Sequence, residues 1–121
     1  MTITWNDNVP IYRQLRDRMV AMILDGALGE GDALPSVRQV AADYRINPLT
    51  VSKAYQTLVD EQLIEKRRGL GMFVTEGAPD ALLESERERF LREEWPALHA
   101  RLQRLGLDFE TLMKHTGEDG A

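Results

Sequence analysis

Apolar positions four apart mark the first regular element. In PIYRQLRDRMVAMILDG, Ile11, Leu15, Met19 and Ile23 form one stripe, flanked by Tyr12 and Met22. This spacing predicts an amphipathic helix with Pro10 near its first turn and Gly26 at its end. The next stretch, ALGEGDALPS, holds Gly29, Gly31 and Pro35 and predicts no regular structure. Ser36 then stands at capping-box spacing from Gln39, and Val37, Val40, Ala41 and Tyr44 supply the apolar face of a second helix of about two turns. In RINPLTVSKAYQTLVDEQLI the start signal recurs, with Asn47 as N-cap and Pro48 at the first helical position, where its missing N–H costs nothing. Val51, Ala54, Tyr55 and Leu58 share one side of this third helix with Val59 or Gln62. Leu49, Ser52, Lys53 and Gln56 lie opposite, on a small polar face with one charge.

The period then shortens. LIEKR and MFVT read as two strands joined by Arg68-Gly69-Leu70-Gly71, a hairpin with glycine where the turn needs it. A phosphate-cradling loop would need its glycines to follow a strand and open a helix, whereas these precede the strand-like Met72-Phe73-Val74. Glu76 to Pro79 reads as a linker into a charged helical segment from Asp80 to Leu105, ended by Gly106. Asp108 then caps a short helix, FETLMKH, and TGEDGA reads as a frayed tail. Within the long segment Leu91, Trp95, Leu98, Leu102 and Leu105 recur in steps of four, three, four and three, a heptad seam that Phe90 and Leu83 widen. Pro96 interrupts that seam and predicts a kink or a restart.

Helix, helix, short turn, helix and two-stranded hairpin is the order of a winged helix-turn-helix. The fold expected is therefore mainly α with a small β-hairpin: a winged helix-turn-helix over residues 1–76 and a short C-terminal helical dimerisation segment over 77–121. The formal net charge of −5 argues against a nucleic-acid partner until it is mapped. Residues 1–75 carry 9 Lys/Arg against 9 Asp/Glu, and the remainder carries 6 against 11, so the whole excess lies in the last third. Lys66, Arg67 and Arg68 cluster at the hairpin tip in the neutral part. The chain has no cysteine, which excludes thiolate catalysis and cysteine metal sites and fits a reducing cytoplasm. His99 and His115 stand too far apart to suggest a metal site. No apolar run approaches the roughly 20 residues that span a bilayer.

In order and spacing, LPSVRQVA, INPLTVSKAY and EKRRGLGMFV, with PIYRQLRDRMVAMILDG upstream, resemble the DNA-binding domain of GntR-type bacterial repressors. The small acidic helical tail resembles that of the YtrA-like subfamily, whose two C-terminal helices serve dimerisation rather than forming a full ligand-binding domain. The resemblance implies a non-enzymatic repressor without cofactor that binds double-stranded DNA as a homodimer on a palindromic operator. It places Arg38 at the edge of the major groove, Ser36 and the N–H groups behind it at a phosphate, and Asn47, Leu49, Thr50, Ser52 and Lys53 on the recognition helix. Arg67, Arg68 and Gly69 match the wing tip, where a backbone without Cβ enters the minor groove. Phe90, Leu91, Trp95, Leu98, Leu102 and Leu105 fall to the dimer seam. Two residues depart from the family pattern: Gln62 stands where glycine is frequent before the first wing strand, and Leu49 where a polar residue is common. Tyr55 and Trp5 read as packing aromatics. The rival reading is a winged helix that binds another protein and no DNA. Any small-molecule effector would act between subunits or between the tail and the DNA-binding domain, since so short a tail cannot enclose a cavity alone.

Overall fold

The computed structural model describes residues 5–119. Its elements run α1 (Ile11–Leu24), α2 (Val37–Tyr44), α3 (Pro48–Asp60), β1 (Ile64–Arg67), β2 (Gly71–Val74) and α4 (Ala78–Arg89). A five-residue π-helical turn, Phe90–Glu94, leads into α5 (Trp95–Arg104), and α6 (Phe109–Asp119) follows. The chain divides into two compact units, residues 1–83 and 84–121.

The first unit is built around α3. Val51, Ala54, Tyr55 and Leu58 are all buried, as their spacing requires, against Leu15, Met19, Val20 and Ile23 of α1 and Val40 and Ala41 of α2. Ile11 belongs to the α1 stripe by spacing, yet it is exposed; Val20 takes up the burial instead. The Arg16 guanidinium of α1 grips the Glu61 carboxylate, with Nε at 2.9 Å from Oε2, and this clamp joins α1 to the C-cap of α3. Glu61 chiefly, then Asp17, outweigh burial and hold Arg16 above the ordinary arginine value.

Immediately beyond this clamp Gln62 adopts φ 64°, a left-handed conformation that side chains with Cβ resist. The chain needs it there because Leu63 N–H turns back to the Leu58 carbonyl at 3.0 Å before β1 starts. Gln62→Gly is expected to raise the free energy of unfolding by about 0.5–1 kcal/mol, the relief of strain exceeding the added freedom of the unfolded chain. An unchanged urea midpoint would show that the strain is negligible.

β1 and β2 pair antiparallel in the register Ile64↔Val74, Glu65↔Phe73, Lys66↔Met72 and Arg67↔Gly71. Gly71 is thus the first residue of β2 rather than part of the loop. The stretch ALGEGDALPS departs from expectation, since Ala33 forms a β-bridge to Phe73. Leu34 N–H donates to the Met72 carbonyl at 2.8 Å, and Val74 N–H donates to the Asp32 carbonyl at 2.9 Å. This segment covers the outer edge of β2 and satisfies backbone groups that a two-stranded hairpin would leave open.

Glu76 to Pro79 is not wholly a linker. α4 starts at Ala78, and Ala78 and Leu82 are buried in the first unit's core, which moves the division between units from the composition change at 76/77 to 83/84. The Glu30 carboxylate accepts the Gly77 N–H just before this helix.

In the second unit Pro96 has the effect its chemistry predicts. It has no N–H, and in a continuous α-helix its ring would meet the Arg92 carbonyl. The backbone widens instead: Trp95 N–H reaches back to the Phe90 carbonyl in a π-type bond, and α5 restarts with Pro96 in its first turn. Asp108 caps α6 by accepting the Thr111 N–H at 2.8 Å, and hydrogen bonds from Thr111 hold its carboxyl below its usual value. α6 continues through Thr116 and Gly117 to Asp119, where the sequence suggested a frayed tail; residues 120 and 121 lie outside the described set.

Candidate nucleic-acid interface

Ser36 and Asn47 fix the starts of the two helices that carry most of the candidate residues. The Gln39 N–H donates to Ser36 Oγ at 3.1 Å, leaving the Ser36 hydroxyl hydrogen to point elsewhere. The capping box is only half made, because the Gln39 amide donates to Asp43 Oδ1 at 2.9 Å instead of turning back to Ser36. Arg38, the second residue of α2, is exposed and has no ion-pair partner among the described residues. At Asn47 the side-chain oxygen accepts the Leu49 N–H at 2.8 Å, so its amide donors remain available.

The turn between these helices passes through Arg45 at φ 55°, with Ile46 N–H returning to the Ala41 carbonyl at 3.1 Å. Arg45 is exposed and adds a cation to the turn. Sequence reasoning assigned it no role; the signal was the short gap between Tyr44 and the Asn47 cap, which forces one residue into a left-handed conformation.

On α3 the outward face is as patterned. Leu49, Ser52, Lys53 and Gln56 are exposed, while Thr50 is half-buried. Lys53 does not extend freely: its ammonium lies 4.2 Å from the centre of the Tyr12 ring, a cation–π contact that links the outward face of α3 to α1. Tyr55 and Trp5 are packing aromatics. Tyr55 is buried and donates to the Pro35 carbonyl at 2.6 Å, and Trp5 meets Tyr44 edge-on at 6.5 Å.

At the hairpin the three cations separate. Arg67 lies along the sheet, 4.3 Å from the Phe73 ring centre and paired with Glu65 at 3.2 Å, because the register puts Glu65, Arg67 and Phe73 on one face. Arg68 is exposed and has no ion-pair partner among the described residues. Gly69 takes φ 77°, and nothing lies within 4 Å of where a Cβ would stand, so the tip is a bare, open loop.

The heptad-seam residues lie in the second unit. Phe90, Leu91, Trp95, Leu98 and Leu105 are exposed and Leu102 is half-buried. Phe109 and Met113 of α6 are exposed as well, two apolar residues that the heptad reading missed because they lie beyond Gly106. Trp95 stacks on His99, with ring centres 5.1 Å apart. Among the described residues no helix is long and apolar enough to cross a membrane, and no group of three or more His, Cys, Asp or Glu could hold a metal ion.

The family model described as "Bacterial regulatory proteins, gntR family" matches residues 11–74, from the start of α1 to the end of β2. The chain belongs to the gntR family. Within it, the chain is similar to the HTH-type transcriptional repressor YtrA of Bacillus subtilis (strain 168), with 43% identity over 65% of this chain and 61% of YtrA. It is 30% identical to the HTH-type transcriptional regulator YhcF of the same organism, over 87% of this chain and 85% of YhcF. A crystal structure of a transcriptional regulator from Oenococcus oeni superposes with a TM-score of 0.72 at 32% identity, covering 100% of this chain and 98% of that one. The gntR match supplies the winged helix; the likeness to YhcF and the Oenococcus regulator extends into the C-terminal helices.

Proposed function

We propose that this gntR-family regulator is a sequence-specific DNA-binding repressor that reads a palindromic operator as a two-fold homodimer in the cytoplasm. The observation that carries the reading is α3: one face buries Val51, Ala54, Tyr55 and Leu58, and the other presents Asn47, Leu49, Ser52 and Lys53 to solvent on the helix a winged helix sends into the major groove. The first unit then binds DNA. Arg38 and the α3 residues act in the major groove, and Arg68 with the bare Gly69 backbone acts at the flanking minor groove. The helical second unit holds two copies together. Two winged helices related by a two-fold axis read half-sites about 34 Å apart on one face of the duplex. Chain similarity to YtrA, which is named as a repressor, supports the sign of the regulation. The chemistry is binding alone, without a cofactor, and an effector would act at the surface between subunits.

Footprinting of the purified protein on its own upstream region tests the reading, and the salt slope separates it from a protein-binding winged helix. Contacts to phosphates weaken steeply as salt rises, whereas an apolar interface is nearly indifferent. Arg38→Ala and Lys53→Ala are each expected to weaken operator binding by roughly 1–3 kcal/mol without loss of fold, both side chains being exposed. If both variants bound as wild type, α3 would not be the reading helix. Gly69→Val is expected to abolish protection at the flanking minor groove, since a β-branched residue resists positive φ and broadens the tip.

A further inference from the structure

Leu49 is the one side chain on the reading face of α3 that carries no polar group, and it is 77% exposed. A leucine on a helix surface is ordinarily shielded by the stems of long neighbours three and four positions on. Here the long neighbour four positions on turns away: Lys53 leans onto the Tyr12 ring. Gln56, a further turn along the same face, donates its amide to Asp60 Oδ1 at 2.9 Å. Ser52, the remaining neighbour, is too short to cover it. The Leu49 N–H is already taken by Asn47 Oδ1 at 2.8 Å, so this residue offers a DNA ligand only its isobutyl group.

In the major groove one base edge alone is apolar, the C5 methyl of thymine. We infer that Leu49 is a specificity-determining residue that contacts a thymine methyl in each half-site and selects T·A at that position. The inference rests on the operator-binding reading above and adds the chemical group recognised. Burial of a single methyl against Leu49 gives discrimination that no hydrogen bond on this face would give, because thymine and uracil present identical donors and acceptors in the groove. Cytosine at that position is rejected by the same absence of a methyl.

The test starts from a random duplex pool enriched on the wild-type protein. The enriched sequence is then synthesised with each thymine in turn replaced by deoxyuridine, which removes the methyl and nothing else. At one thymine of each half-site uracil is expected to weaken wild-type binding roughly fourfold, and about fifteenfold when both half-sites are changed. Leu49→Ala, whose exposed position leaves the melting temperature unchanged, is expected to bind the thymine and uracil duplexes equally. An enriched sequence whose thymines all tolerate uracil overturns the inference, as does a uracil penalty that Leu49→Ala retains, since another residue then reads the methyl. A pool in which no sequence is enriched overturns the operator-binding reading, and this inference falls with it.

Discussion

Changing Leu98 and Leu102 together to aspartate is expected to yield a folded monomer whose affinity for a palindromic operator is about 10²–10⁴-fold lower. Both residues lie on α5, in the second compact unit, and the first unit's core includes neither. A carboxylate on this face therefore leaves the winged helix intact. A single chain exposes Phe90, Leu91, Trp95, Leu98, Leu105, Phe109 and Met113 within 24 residues of sequence, a density of exposed large apolar side chains that favours burial against a partner. Two copies packed through the heptad seam would bury it, and two buried carboxylates per chain would oppose that packing by several kcal/mol. The affinity falls because the second half-site contact becomes bimolecular, not because any DNA-facing atom moves. The measurement has two arms. Sedimentation velocity reports the loss of the dimer, and a duplex with a single half-site is bound equally by variant and wild type. A variant that still sedimented as a dimer would place the interface on another surface.

The elements most legible in the sequence were those governed by short-range rules. The buried and open faces of α3 followed from period and caps because every relevant neighbour is within four residues. The positive φ at Gln62 was legible only as a departure from the family's glycine. The bridge from Ala33 to Phe73 was not legible: backbone pairing of a glycine- and proline-rich segment leaves no alternation of side chains, and its partners lie far along the chain. The same limit applied at the hairpin tip. EKRRG shows three equal cations, and only the register reveals that Arg67 is held by Glu65 and Phe73 while Arg68 is exposed. Lys53 likewise acquired its partner Tyr12 through the contact of α1 with α3, which the period of neither helix expresses. Pro96 announced an interruption, but not its form; a π turn keeps the helix hydrogen-bonded, which proline chemistry alone does not dictate.

Tyr55→Ala is expected to destabilise the protein by about 3–5 kcal/mol, whereas Tyr55→Phe costs about 0.5–1.5 kcal/mol. The large loss is the cavity left at the centre of the first unit, since Tyr55 is among its most completely buried side chains. The small one is the hydrogen bond to the Pro35 carbonyl. Burial, with a lesser contribution from Tyr44, raises the Tyr55 hydroxyl above its ordinary value near 10. The unfolded chain thus ionises Tyr55 at lower pH than the folded one. This group's stabilisation is complete below about pH 10 and is lost as the pH rises through the higher folded value. Urea unfolding of wild type and Tyr55→Phe at about pH 8 and about pH 11 isolates the effect from the other tyrosines: wild type should lose more stability than the variant on going to the higher pH. Parallel losses in the two proteins would mean that burial does not hold this proton. The same bond has a functional reach, for Pro35 precedes Ser36, the cap that sets the start of α2 and the position of Arg38. Tyr55→Phe, which touches no base or phosphate, should accordingly weaken operator binding in the direction of Arg38→Ala but by less, and a wild-type affinity would show that α2 keeps its place without this tie.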